Sequence, residues 1–228
     1  MELIIIIVVL IAIIIVSSMM NTNLKELEKI ALDKNLNEIA KKYPKNTQIC
    51  KDILEKIGNS TTKIEEDLKS EATLYIAIQD KISIGNTHES YTRIQTMAHE
   101  CLHSIQDKKM LLFNFIYSNI YFLYFVIICG LVVIKKLPND MLFSNILIIL
   151  SFIYYVIRIF LENDAMIKAE FLAKEYMLEQ NISSKDEIEK IMQGLKKINE
   201  GAIKATNCTL FIKIMIKVVI FNILALIF

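Results

Sequence analysis

Met97-Ala98-His99-Glu100-Cys101-Leu102-His103-Ser104-Ile105-Gln106 is the stretch on which the reading of this chain turns. Ile94, Met97, Ala98, Leu102 and Ile105 recur at helical spacing, which predicts a packed helix beginning near Ser90. Residues four apart share one face of a helix, so the imidazoles of His99 and His103 can reach a single ion about 2.0–2.1 Å from each nitrogen. Glu100, one position on from His99, projects beside such an ion. Cys101 points about 200° round the helix from His99 and is no ligand of it. Two of the three histidines in the chain belong to this HExxH pattern. The third, His88, stands alone ahead of the helix and reads as a solvated loop residue.

A catalytic zinc needs a third protein ligand and an open position for water. No third histidine follows, so the ligand is expected to be a carboxylate from another helix. Glu162 is the leading candidate, with Ala165 and Ala169 after it forming a small-residue face that lets its helix come close to the histidine helix. Asp164 and Glu170 are the alternatives as ligand, and Asp164 is otherwise placed to accept a hydrogen bond from a ligand imidazole N–H. The bland alternative for Glu162 is an ion pair with Arg158 one turn earlier. With zinc bound, Glu100 would take the proton of a zinc-bound water as it attacks a carbonyl and return it to the leaving amine.

The rest of the chain says where such a site would work. Of 228 residues, 54% are hydrophobic, and the mean hydropathy is +0.43, more than a soluble core of this size requires. The excess falls in four blocks, Glu2–Met20, Leu111–Ile134, Met141–Leu161 and Leu210–Phe228, each near the roughly 20 residues that cross a bilayer as a helix. The first lacks a basic leader and is too long for a cleaved signal, so it reads as a retained anchor. Lys213 and Lys217, four apart in the last block, are expected to snorkel to the headgroups. A net charge of +1 gives nucleic acid no electrostatic support as a partner. The four cysteines form no CxxC pair, which argues against a disulfide framework.

These blocks divide the chain into an anchor (1–20), a first polar region (21–109), a membrane hairpin (110–161), a second polar region (162–209) and a final span (210–228). The first polar region is expected to hold two or three short helices, a helix stop at Gly58, and two strands within Ala72–Ile84 around Gln79-Asp80, whose edge could bind an extended peptide. The second continues the third span, breaks near Asn181, and restarts at a Ser184/Glu187 capping box as an amphipathic helix through Ile188, Ile191, Leu195 and Ile198. The short link Lys135–Asp140 returns the chain across the bilayer, so both polar regions face the same side. Lysine and arginine are denser on that side, which favours the cytoplasm.

The order anchor, Ile82-Ser83-Ile84, Ala98-His99-Glu100-Cys101-Leu102-His103-Ser104-Ile105-Gln106, membrane hairpin, then Leu161-Glu162-Asn163-Asp164-Ala165 resembles the neutral zinc metallopeptidase family of bacterial membrane proteins (YugP-type, gluzincin-like). The resemblance runs over most of the chain, with its specificity in the AHExxHxxQ and ExDA elements. It implies a mainly α integral membrane protein with about four transmembrane helices and a small zincin-like α+β catalytic domain. One Zn2+ per chain would be held by His99, His103 and Glu162, with Glu100 catalytic and Gln106 and Asp164 behind the ligands. Leu102 departs from the glycine that relatives carry before the second histidine, but faces away from the ion. The first polar region is also short. The function so implied is a zinc metalloendopeptidase acting on peptides or membrane proteins at the bacterial cell membrane. The alternative is a non-catalytic membrane scaffold that retains the fold. Neither the substrate nor the oligomeric state is legible from the sequence.

Overall fold

Apolar runs without proline form the longest elements of the chain, and short amphipathic runs with polar caps form the rest. The computed structural model describes residues 1–20, 22–67, 69–70, 72–86 and 90–228, so His88 lies outside the described residues. Along the chain come α1 (Glu2–Met19), α2 (Leu24–Ala31), α3 (Lys34–Lys41), α4 (Asn46–Lys56), β1 (Lys63–Asp67), β2 (Leu74–Ile76), β3 (Lys81–Gly85), α5 (Arg93–Ile105), α6 (Lys108–Val133), α7 (Asp140–Gln180) and α8 (Lys185–Ile227). The fold is mostly helical, and α1, α6, α7 and α8 are long and apolar enough to cross a membrane.

The backbone divides into two units. One comprises Met1–Thr22, Phe113–Phe160 and Lys204–Phe228. Its exterior is apolar, with Ile4, Ile11, Phe122, Val156 and Ile227 among its exposed side chains, while Ser144, Ser151 and Asn222 are fully buried inside. The hydroxyl of Tyr121 bonds that of Ser151 at 2.9 Å, and Asn222 Nδ2 donates to Ser144 Oγ at 2.8 Å. Polar inside and apolar outside is the arrangement that suits a lipid surround.

The other unit, Asn23–Leu112 with Leu161–Ile203, carries the sheet. Asn23 and Asp33 cap α2 and α3, the latter accepting from the amides of Asn35 and Leu36 at 2.9 and 3.1 Å. Helix α4 stops at Gly58, whose φ of +72° is the left-handed turn a glycine takes without strain. The capping box forms as expected, with Ser184 N–H on Glu187 Oε2 at 2.9 Å and Glu187 N–H on Ser184 Oγ at 3.2 Å. The break before it is Asn181, at φ +51°.

The sheet order is β1-β3-β2, with β3 central, β1 parallel to it and β2 antiparallel. Ile82 and Ile84 of β3 point into the core with Ile49 and Ile53 of α4 and Met97, Ala98 and Cys101 of α5. The structure departs from the sequence reading at four places. Ile78 is not in a strand but in the turn between β2 and β3, 67% exposed. The parallel strand β1 was not foreseen, because Lys63-Ile64-Glu65-Glu66-Asp67 is nearly all charge, as suits a solvent-facing edge strand. Helix α5 starts at Arg93 rather than Ser90, since Ser90 and Tyr91 are tied outward to Ala31 and Asn37. The amphipathic segment and the last apolar block also form one continuous helix, α8, where two were expected.

Candidate metal centre

The core side of α5 fixes what its other side presents. Cys101 is fully buried, its thiol directed to the carbonyl of Cys50 at 3.7 Å. With that face packed, His99 and His103 turn their Nε2 atoms toward each other at 3.1 Å, their rings edge-on at 84°. Ala165, Ala169 and Ala173 of α7 are fully buried in the same core, which lets α7 lie close. Glu162 then reaches in, its Oε2 3.6 Å from His99 Nε2 and 3.7 Å from His103 Nε2.

Two of those atoms come from α5 and one from α7, and they stand 3.1, 3.6 and 3.7 Å apart. A point equidistant from them lies about 2.0 Å from each, the bond length zinc takes with imidazole and close to that with carboxylate. Two nitrogens and one carboxylate oxygen are also a donor set suited to that borderline ion. The residues therefore fit a divalent metal, and among the described residues they are the one His/Cys/Asp/Glu group so arranged.

His103 is held from behind. His103 Nδ1 lies 2.8 Å from Gln106 Oε1, so in the neutral ring Nδ1 carries the proton and the Nε2 lone pair faces the centre. Gln106 in turn donates through Nε2 to the Leu161 carbonyl at 2.8 Å, tying the end of α5 to α7 next to Glu162. Asp164 stands one step further back than expected. It pairs with Lys168 at 2.6 Å and reaches the site only through Gln106 Nε2 at 3.4 Å. Burial pushes the Asp164 carboxyl up, but the bonds from Lys168 and Gln106 outweigh it and hold it below the usual carboxylate range. Glu170 accepts from Asn199 Nδ2 at 3.3 Å and is not in the ligand group.

Glu100 is 8% exposed, with Oε1 3.9 Å from His99 Nε2. Its Oε2 accepts the Tyr75 backbone N–H at 2.6 Å. Burial raises its pKa above the ordinary carboxylate value, against the pull of the two histidines and the Tyr75 amide. For His103, burial lowers the pKa, but the bonds to Glu162 and Gln106 outweigh it and leave it raised.

The part played by Tyr75 was not read from the sequence, since a backbone N–H leaves no mark on residue type. Tyr75 is itself pinned by its hydroxyl to Asp80 Oδ1 at 2.9 Å, and Asp80 also accepts from Thr62 at 2.7 Å and Thr61 at 3.0 Å. The one available signal was an aspartate in the turn ahead of Lys81. No protein-family model, curated protein or solved structure matches the chain.

Proposed function

We propose that this chain is an integral membrane, zinc-dependent peptidase of zincin-like construction, of the kind its His-Glu-Cys-Leu-His segment resembles. The observation that supports it is the convergence of His99, His103 and Glu162 around a point at bonding distance from all three, with Glu100 beside them. Zinc held there would supply Lewis acidity, lowering the pKa of a water towards about 7 and polarising a peptide carbonyl.

The remaining work falls to the chain itself. Gln106 keeps His103 in the tautomer that leaves Nε2 unprotonated. Glu100, fixed through Oε2 by the Tyr75 amide, has Oε1 to accept a proton from the attacking water and deliver it to the departing amine. Burial suits it to that exchange by making its protonated form accessible. Strand β2 lies at the sheet edge and turns the Tyr75 N–H to Glu100, so a substrate chain running along β2 would pass the site by strand addition. A tether in the bilayer favours membrane proteins or membrane-proximal peptides as substrates, and the lysine and arginine bias favours the cytoplasmic face.

Metal analysis and cleavage by one variant test this. Purified chain is expected to hold one zinc, and Glu100→Gln to keep the metal while cleavage of membrane-proteome substrates falls by roughly 10²–10⁴-fold. Folded, metal-free protein would instead support a scaffold, and full cleavage by Glu100→Gln would remove Glu100 from its role.

A further inference from the structure

Lys217 belongs to the last apolar stretch of α8. It lies about 10 Å along the helix from Leu210 and about 16 Å from Phe228 at 1.5 Å per residue, hence well inside a span. Its ammonium does not reach towards either end. It rests over the ring of Tyr121 at 4.3 Å, with Phe122 at 5.6 Å and Phe125 at 5.9 Å, all from the middle of α6. Tyr121 is itself anchored, stacked on Tyr154 at 5.4 Å and bonded to Ser151. Three aromatic faces stabilise the charge, yet they accept none of its N–H groups in a conventional hydrogen bond. Among the described residues Lys217 has no hydrogen-bond or ion-pair partner.

Among the described residues no carboxylate of the unit pairs with it. Its side-chain carboxylates are Glu2 and Asp140, each at the first residue of a helix, while Lys213 and Lys217 lie within the last apolar block. Lys217 is half-buried on the flank of α8 that meets α6, and so remains reachable from outside the bundle. An ammonium at this depth with its donors unsatisfied is costly, and an anion that pairs with it recovers that cost. A lipid phosphate at the bilayer surface is about 10 Å of helix away from the Lys217 backbone. A carboxylate borne by another membrane helix is already at the right depth.

We infer that Lys217, in its cage of Tyr121, Phe122 and Phe125, is a docking site for a transmembrane helix of another protein that carries an acidic side chain near its midpoint. This rests on the membrane-spanning part of the proposed function and not on the metal. Such a site would select acid-bearing membrane proteins as partners or as substrates.

The test uses the full chain reconstituted in phosphatidylcholine vesicles and washed with alkaline carbonate. Chain that washes out refutes the membrane reading, and with it this one. Chain that stays is titrated with a synthetic leucine–alanine transmembrane peptide bearing one central aspartate, and with the same peptide bearing leucine there, association being read by energy transfer. The expected result is about tenfold tighter binding of the aspartate peptide, lost in Lys217→Met and kept in Lys217→Arg. Equal binding of the two peptides by the unmodified chain overturns the proposal, even if Lys217→Met fails to fold. A preference that survives in a folded Lys217→Met also overturns it, as does phosphatidylglycerol retained through Lys217 when the aspartate peptide is not.

Discussion

The Nε2 atoms of His99 and His103 stand 3.1 Å apart, within hydrogen-bond distance of each other. Two neutral imidazoles cannot both aim lone pairs across such a gap without repulsion, so either a proton or a metal cation must lie between them. The Glu162 carboxylate at 3.6 and 3.7 Å favours both arrangements. On the proposed function proton and metal compete for this centre, and its expected behaviour on metal removal and with pH follows from that competition.

Metal removal should destabilise the protein only when all three ligands are present. A ligand that binds the folded state alone stabilises it by about 2.7 kcal/mol at a hundredfold excess over its Kd. Thermal melts with and without a chelator should separate for the unmodified chain, whereas His99→Ala, His103→Ala and Glu162→Gln should melt at the same temperature in both. A chelator shift that persists in His99→Ala would place the metal elsewhere.

Gln106 carries a distinct role, since it stands outside the ligand group but fixes His103 and joins α5 to α7. Gln106→Leu should weaken zinc about 10–100-fold, as loss of such a supporting bond does in other metal sites. Gln106→Glu, which keeps an acceptor for Nδ1–H, should recover much of that loss. Competition with a chromophoric chelator measures both, and equal affinities across the three proteins would show that Gln106 is only structural.

How much of this was legible beforehand depended on whether side chains or backbone carried the information. His99, Glu100, His103 and Glu162 were readable because ligand chemistry demands particular residue types at particular spacings, and the structure brings them together. Gly58, Asn181 and the Ser184/Glu187 box were readable because each answers a local backbone need. Strand β1 was not, since its pairing with β3 is made by backbone groups beneath an almost wholly charged sequence. Nor was the fusion of two segments into α8, because Gly194 and Gly201 stay helical where Tyr91 and Leu27 pack against them, and no proline interrupts the helix where polarity changes. The expected snorkelling of Lys217 rested on its own side-chain length. What holds it instead is α6, nearly a hundred residues away in the chain.

In metal-free protein the pH dependence should run towards greater stability on the acid side. The folded pKa of His103 is raised above 6.5, so the stability its contacts give is fully present below about 6.5 and is lost as pH rises through the folded value. Glu100, raised above 4.5, acts in the same sense at lower pH, and His99 and Glu162 face both groups. Zinc must displace the His103 proton, so its affinity should weaken as pH falls through that same folded pKa. Urea unfolding in chelator from pH 5 to 9 tests the first point, with His103→Ala expected to flatten the profile near neutrality. Calorimetry in buffers of different ionisation enthalpy tests the second, with proton release on zinc binding as the expected outcome.

Gly85 packs the end of β3 against the segment that leads into β2. It ends β3, and a Cβ there would lie 2.6 Å from the Ala72 carbonyl oxygen and 2.8 Å from that of Ser70, both backbone atoms that cannot swing aside. The strand leading from Ala72 is β2, whose Tyr75 amide holds Glu100, so backbone displaced by Gly85→Ala is expected to move Glu100. We expect Gly85→Ala to cost about 1–3 kcal/mol in urea unfolding, as overpacking of a tight site does. Cleavage should fall with zinc content unchanged, because the three ligands lie on α5 and α7 and not on β2. Gly130→Ala is the control, since a Cβ at that helical position meets nothing within 4 Å. That substitution should leave activity intact and stabilise helix α6 by up to about 1 kcal/mol. If Gly85→Ala instead lost zinc while keeping its stability, the dependence of Glu100 on β2 would be wrong, and the sheet would act on the ligands themselves.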